Sequence, residues 1–401
     1  MELNKSQLYR FPWSMNDNPI GWLEVTDVCN LGCKGCYRQK LEGHKNLEQI
    51  KDEIRFLKKW RNCDNISIAG GEPALHPDIV SIVNFIRENR MKPFLLSNGM
   101  ALSKNLLTEL KKAGLTGLGL HVDSFQNRPG WEGKNEVELC SLRKQYADMV
   151  HSMGGLSCSF NITVYRENFN QIPDLITWAL QNAKTVNGFT FITYRAAILG
   201  QGREYVVNGR KVNLDERALG YAIDKERSDD IRIKTGDVYN LIKKHFPEYT
   251  PSAYLGGSKQ HDSFKWLAGY LFCSGERPIG SLGRKSMELA QAGHHLLFGR
   301  YFLYLKNKSI GKSILAMSLI DPEVRKILVR FLASPLSLFK PLRGIGIGIV
   351  QAPDALPNGE VDMCDSCPDM TVYDGKLVHS CRMDEYRKFG ALLTPVTEEE
   401  R

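Results

Sequence analysis

No run of consecutive apolar residues in this 401-residue sequence approaches the ~18 needed to cross a bilayer as a helix. The opening Met1-Glu2-Leu3-Asn4-Lys5 lacks the apolar stretch of a secretory signal. Without a secretory route the ten cysteines are not read as a disulfide scaffold, and the expected setting is reducing and cytoplasmic. Hydrophobic residues make up 42% and charged residues 24%, the balance of a soluble globular chain with room for about two to three domains. Acidic residues are scarce in one place. Arg284 to Arg343 holds eleven Lys or Arg against Glu288, Asp321 and Glu323, a local balance of +8. The whole chain also carries +8, so the remainder is near neutral.

What is present organises itself around Cys29-Asn30-Leu31-Gly32-Cys33-Lys34-Gly35-Cys36, just after the apolar run Trp22 to Val25. Three thiolates cannot close a structural zinc site, which takes four. Thiolates also hold iron–sulfur clusters. Three of them on one loop can hold three irons of a cube and leave the fourth iron open for chemistry.

Periodicity places this loop in an alternating chain. Gly21 to Thr26, Asn65 to Ala69, Phe94 to Ser97, Thr116 to Val122, Ser157 to Val164 and Phe189 to Thr193 read as strands. Between them, helices are expected near 46–59, 76–90, 103–112, 137–151 and 175–181. Six alternations predict a parallel sheet with crossover helices. Candidate polar and glycine residues fall at the strands' C-terminal ends, where such sheets bind ligands. Phe11 and Trp13 are expected to pack on the sheet, and 250–257 to form a loop. A hairpin is expected over 372–378 around Asp374-Gly375.

The triad straight after a first strand, followed by Ala69-Gly70-Gly71-Glu72-Pro73 and Ser97-Asn98-Gly99, resembles the radical SAM superfamily over roughly 20–200. The resemblance implies a partial (β/α)6 barrel and a 4Fe-4S cluster on Cys29, Cys33 and Cys36. Its open iron would bind S-adenosylmethionine, which an electron cleaves to methionine and a 5′-deoxyadenosyl radical. It implies S-adenosylmethionine contacts from Gly70, Gly71, Glu72, Pro73, Ser97 and Asn98, and weaker ones from Asp123, Asn161, Asn168 and Arg195. Members usually carry an aromatic before the third cysteine, where Gly35 stands here; Tyr37 is the substitute from the other side. An electron donor such as flavodoxin or ferredoxin is implied as partner.

The organisation expected is a lead over 1–20, the barrel over 21–200, a connecting region over 201–270 and a second domain over 271–401. In that domain, Cys364, Cys367 and Cys381 group with Cys273, the only other cysteine of the C-terminal third. Four thiolates suit zinc or a second cluster. The resemblance favours the cluster, through the family's twitch and SPASM extensions. Between Cys273 and Cys364, at about 282–343, apolar residues interleave with the basic ones. This suits a helical cover over the barrel mouth or an element lying on an anionic membrane, a peripheral contact. Nucleic acid is not expected, since no reading motif accompanies the charge. The substrate expected is a peptide or small metabolite. The alternatives are a lipid or isoprenoid at the membrane surface, or a zinc-stapled binding protein without catalysis. Cys63, Cys140 and Cys158 are read as buried packing residues.

Overall fold

The computed structural model describes residues 3–38, 43–194, 204–212, 214, 219, 232–303, 311–333, 339–351 and 353–396. A short strand, β1 (Tyr9–Arg10), precedes the repeating unit. That unit begins with β2 (Ile20–Thr26), buried along almost its whole length, as a parallel strand covered on both faces must be. Helix α1 (Leu47–Arg61) is started by the Asn46 side chain, which accepts from Gln49 N–H, and ended by Asn62 in the left-handed region. Its Ile50, Ile54 and Leu57 form the buried stripe.

The alternation continues through β3 (Asn65–Gly70), α2 (Ile79–Glu88), β4 (Lys92–Ser97), α3 (Lys104–Ala113), β5 (Gly117–His121), α4 (Cys140–Ser152), β6 (Ser157–Val164), α5 (Ile172–Gln181) and β7 (Gly188–Thr193). Strands β2 to β7 pair in sequence order, all parallel. This is the expected six-strand partial barrel.

The sheet does not stop there. After β8 (Tyr205–Val207), β9 (Arg210–Val212) and α6 (Thr235–His245) come β10 (Ala253–Gly256), β11 (Phe264–Ser274) and β12 (Arg277–Ser281). Helices α7 (Arg284–Phe298) and α8 (Pro322–Leu332) follow, then β13 (Leu342–Val350). β13 pairs with β7 in parallel and with β11 antiparallel, and β10, β1 and β12, the last paired with β11, complete an eleven-stranded sheet. The loop expected at 250–257 is therefore largely strand. The close approach of β13 rests on glycine: a Cβ at Gly188 would run into the Gly346 carbonyl.

For the insert between β12 and β13 the sequence leaves open a cover over the barrel mouth or an element on a membrane surface. Its Val324, Ile327 and Phe331 share a second core with Phe11, Trp13 and Phe272. Helix α8 is tied by Arg330 to β12 near the start of β13, not over the strand ends that carry Cys29. Phe11 and Trp13 stack in that second core at 4.0 Å between ring centroids, as packing residues.

Beyond β13 lie two small ladders, β14 (Asp354–Ala355) with β15 (Val361–Asp362) and β16 (Met370–Tyr373) with β17 (Lys376–His379), the second being the expected hairpin. Helix α9 (Met383–Phe389) and β18 (Thr394–Pro395), which pairs with β8, end the described chain. β16 packs along β2, so the C-terminal segment lies against the barrel's first strand.

Candidate functional site

At the end of β2 the chain leaves the sheet and runs into the cysteine loop. Gly71 N–H donates to Thr26 O at 2.7 Å and Glu72 N–H to Val28 O at 2.8 Å. A Cβ at Gly71 would overlap the Val28 carbonyl, and one at Gly70, whose φ is +132°, the Thr26 carbonyl. The two glycines are thus needed to lay the end of β3 against the chain leading to Cys29. Pro73, buried, opens a short 3-10 turn over Pro73–Leu75.

Glu72 is fully buried and its oxygens are engaged. Oε1 accepts from Ser97 Oγ–H at 2.7 Å and Ala74 N–H at 3.0 Å, and Oε2 from Asn98 N–H at 2.6 Å. Burial pushes its carboxyl above the ordinary value, and these donors pull part of the way back. Its visible work is to fix the end of β4. Asn98 then reaches the loop: its Nδ2 donates to Asn30 Oδ1 at 2.7 Å and lies 3.9 Å from Cys29 Sγ.

A second tether comes from the segment after β5. Phe125 O accepts from Lys34 N–H at 2.8 Å, and Asn127 Nδ2 donates to Gly32 O at 3.3 Å. Lys34 Nζ stands 4.7 Å from the ring centroids of both Phe125 and Tyr165. Arg128, to which the sequence assigned no role, is buried beneath this segment. It donates to Asn98 O at 2.8 Å, Gln126 Oε1 at 2.9 Å and His121 O at 3.2 Å, so one guanidinium ties the ends of β4 and β5 together.

The absent aromatic at position 35 has a structural counterpart. A Cβ on Gly35 would fall on the Tyr165 hydroxyl and within 3.2 Å of the Tyr194 ring. Tyr165 and Tyr194 sit after β6 and β7 with centroids 5.1 Å apart, and Phe125 packs on Tyr165 at 4.7 Å. The aromatic bulk at this place therefore comes from neighbouring strand ends; Tyr37 is half-buried beside Arg38.

The barrel interior below the loop is polar. His121 Nε2 pairs with Asp123 Oδ2 at 2.8 Å and lies 3.2 Å from Thr163 Oγ1. Burial pushes the Asp123 carboxyl up, but His121 and the amides of Phe125 and Thr163 outweigh it and hold it below its ordinary value. Asn161 pairs across from His121 and is half-buried. Asn168, by contrast, is buried among its own loop, donating to Glu136 Oε1 at 3.0 Å and Thr163 O at 2.9 Å. Expected as a ligand contact, it is bound up in the support of the β6 end. Arg195 lies outside the described residues.

Cys33 is half-buried, and burial, Asp123, Cys36 and Cys29 push its thiol up to about 12. A bound cation offsets such an upward push on the Cys33 thiol, as metal binding does. Among the described residues, no three His, Cys, Asp or Glu side chains converge on a single ion. A cube requires no such convergence, because each thiolate binds a different iron. The donor set fits such a cluster.

The second cysteine set lies against the other end of β2. Arg61, fully buried, donates to Ile20 O and Met15 O, and its Nη2 to Cys367 O at 2.6 Å and Pro368 O at 2.9 Å. Ile20 and Thr26 bound a strand of about 20 Å, so Cys367 and Cys29 belong to opposite ends of it. Burial, followed by the neighbouring thiols, raises Cys364 and Cys367, with Cys381 among those neighbours for both. Each of the two thus feels neighbouring cysteine and acidic groups of the C-terminal segment electrostatically.

The structure does not bring Cys273 to this set. Cys364 bridges Gly257 beside the start of β11, whereas Cys273 is at the far end of that strand, opposite Arg343. Nine residues of strand, about 30 Å, separate the two places. The pairing of Cys273 with the C-terminal set is corrected accordingly. Cys63, Cys140 and Cys158 are buried packing residues, as expected.

Residues 23–179 match the family described as the radical SAM superfamily. The chain is thus similar to the radical SAM superfamily across the segment that carries the cysteine loop. It is 30% identical over 190 residues to the probable GTP 3′,8-cyclase of Methanocaldococcus jannaschii, which spans 44% of this chain and 60% of that protein. It is 23% identical over 230 residues to the Fe-coproporphyrin III synthase of Methanosarcina barkeri, 55% of this chain and 54% of that one. The chain thus spans about half the length of these curated relatives. The crystal structure of Streptococcus suis SuiB bound to its precursor peptide SuiA aligns with 58% of this chain and 46% of its own, at 16% identity and a TM-score of 0.41. The radical SAM match covers β2 to α5, and so includes every tether of the cysteine loop described above except Tyr194.

Proposed function

We propose that this protein is a radical SAM enzyme acting on a polar substrate, a peptide or small metabolite, held in the barrel beneath the cysteine loop. The observation that carries the reading is the double suspension of Cys29, Cys33 and Cys36, from Asn98 on one side and from Phe125 and Asn127 on the other. A 4Fe-4S cluster on these three thiolates would supply the electron that cleaves bound S-adenosylmethionine to methionine and a 5′-deoxyadenosyl radical. Glu72 fixes Ser97 and Asn98 for the loop, and Arg128 ties the ends of β4 and β5. Tyr165, Tyr194 and Phe125 exclude water from the Gly35 side of the loop.

His121, Asp123, Thr163 and Asn161 offer hydrogen bonds to a substrate, which supports a polar molecule over an isoprenoid. A second cluster on Cys364, Cys367 and Cys381 has three protein thiolates, so its remaining iron would be left for another ligand. Anaerobic reconstitution tests the proposal. The expected result is roughly eight irons per chain if both sites hold cubes, with 5′-deoxyadenosine formed on reduction. Cys33→Ala should abolish that product; nucleoside formation persisting in the variant would remove the assignment.

A further inference from the structure

Nine of the thirteen exposed large apolar side chains among the described residues lie between Leu289 and Phe339. Leu296, Leu297 and Phe298, at the end of α7, are 86%, 76% and 63% exposed, and Phe339 is 88% exposed. Soluble proteins rarely leave such residues clustered without a partner.

Hydrogen bonds fix where this cluster stands. Asn62 Nδ2 donates to Gly299 O at 2.7 Å, Arg300 to Cys63 O at 3.4 Å, and His295 pairs with Asp17 at 2.8 Å. Residues 62 and 63 lead into β3, so the end of α7 emerges beside the strand starts. The last turn of α8 is held at the same level, because Arg330 donates to Ile279 O at 3.0 Å on β12, next to the segment of β11 that pairs with the start of β13. Phe339 lies three residues before β13 begins at Leu342. Two further exposed residues outside the insert join this face: Met15, whose carbonyl accepts from Arg61, and Trp60, at the end of α1. The face therefore forms the floor of the barrel, remote from Cys29.

Its charge is mainly basic, although Lys326 pairs with Glu323 at 2.7 Å. Lys59 Nζ stands 4.9 Å from the Trp60 ring, and Arg325, Lys326 and Arg330 are exposed on α8. Asp321, one of only three acids in the segment, is buried and turned inward, accepting from Ser286 N–H at 2.9 Å. No helix of the described residues is long and apolar enough to cross a membrane. Apolar side chains beside a tryptophan and snorkelling cations are instead what an interfacial element presents to lipid.

We infer that the barrel floor docks on an anionic lipid surface, with the Leu296–Phe298 corner entering the acyl boundary and the basic residues meeting the headgroups. The attraction of the surface cations to the headgroups would be sensitive to salt. The strand ends that carry Cys29 would then face away from the bilayer, so docking calls for no lipid substrate at the first cysteine set.

Flotation of the full-length protein with vesicles of phosphatidylcholine and phosphatidylglycerol tests this. Binding is expected at low salt, weaker in 0.5 M NaCl and absent on pure phosphatidylcholine. The triple variant Leu296→Ser, Leu297→Ser, Phe298→Ser should lose binding about ten-fold or more, whereas Val137→Ser, exposed elsewhere, should not. Unchanged iron content and melting would show that the triple variant is folded. No binding to anionic vesicles, or equal binding by the triple variant, overturns the inference. So does a dimer in light scattering that the triple variant abolishes while vesicles capture neither protein, since a second copy would then be the occupant.

Discussion

The Gly35 α-carbon faces the Tyr165 hydroxyl so closely that no side chain fits between them. Position and partner are coupled: one must be glycine because the other reaches across from β6. Gly35→Ala is expected to destabilise the protein by about 1–3 kcal/mol through overpacking. Adding Tyr165→Phe removes the obstructing oxygen and should recover part of that loss. A double-mutant cycle by urea unfolding reads the coupling, expected at roughly 0.5–3 kcal/mol. Additive effects would show that the two residues do not meet.

Glu72, fully buried, accepts from three donors. Glu72→Gln presents an amide to at least one of those donors, at a cost of about 1–3 kcal/mol. Because the end of β4 is freed, the same variant should bind iron less firmly at the first cysteine set, measured as iron retained after gel filtration. Retention equal to the parent would confine Glu72 to stability alone.

The two cysteine groupings make opposite predictions for iron. Cys273→Ser should leave iron content unchanged, since this thiol is a strand length from the others. Cys367→Ser should remove roughly half of it if each site holds one cube. Arg61→Lys, which keeps the charge but loses the fork that grips Cys367 O and Pro368 O, should weaken the second site selectively. Iron loss in Cys273→Ser would return that residue to the ligand set.

Lys265 is buried between Asp354, at 2.7 Å, and Asp362, at 3.1 Å. Burial pushes the Asp354 carboxyl up, but Lys265 and Lys234 outweigh it and hold it below its ordinary value. A carboxylate held low contributes stability above its unfolded pKa and loses it as pH falls through the folded value. Lys265→Met should therefore cost about 3–5 kcal/mol near neutral pH. The deficit should narrow only as pH falls below the ordinary aspartate value of about 4. It should go on narrowing through the lower folded value of Asp354, where the parent's carboxyl is protonated too. A deficit independent of pH, followed by denaturant midpoints, would assign the loss to packing.

Where side-chain period and chain neighbours agreed, the barrel was legible. Ser157 to Val164 is a strand with the bounds that its pattern predicts, and Ser103 caps α3. β13 was not legible. Its Gly344, Gly346 and Gly348 alternate with isoleucines, and glycine weighs against a strand unless a neighbour needs the space. That neighbour, β7, is about 150 residues away in the chain. Arg61, Arg128 and Lys265 were missed for a related reason: a buried cation resembles a surface one until its partners are placed.

By itself the sequence determined the local chemistry: three thiols on one loop, glycines after β3, and polar residues at the strand ends. Spacing along the chain fixes which groups can reach a common point within one loop. Only the tertiary structure decided which distant groups meet: Tyr165 with Gly35, Arg61 with Cys367, and Cys273 with none of the other cysteines of its supposed set. Those outcomes depend on strand order and register, which long-range packing selects and no local pattern encodes.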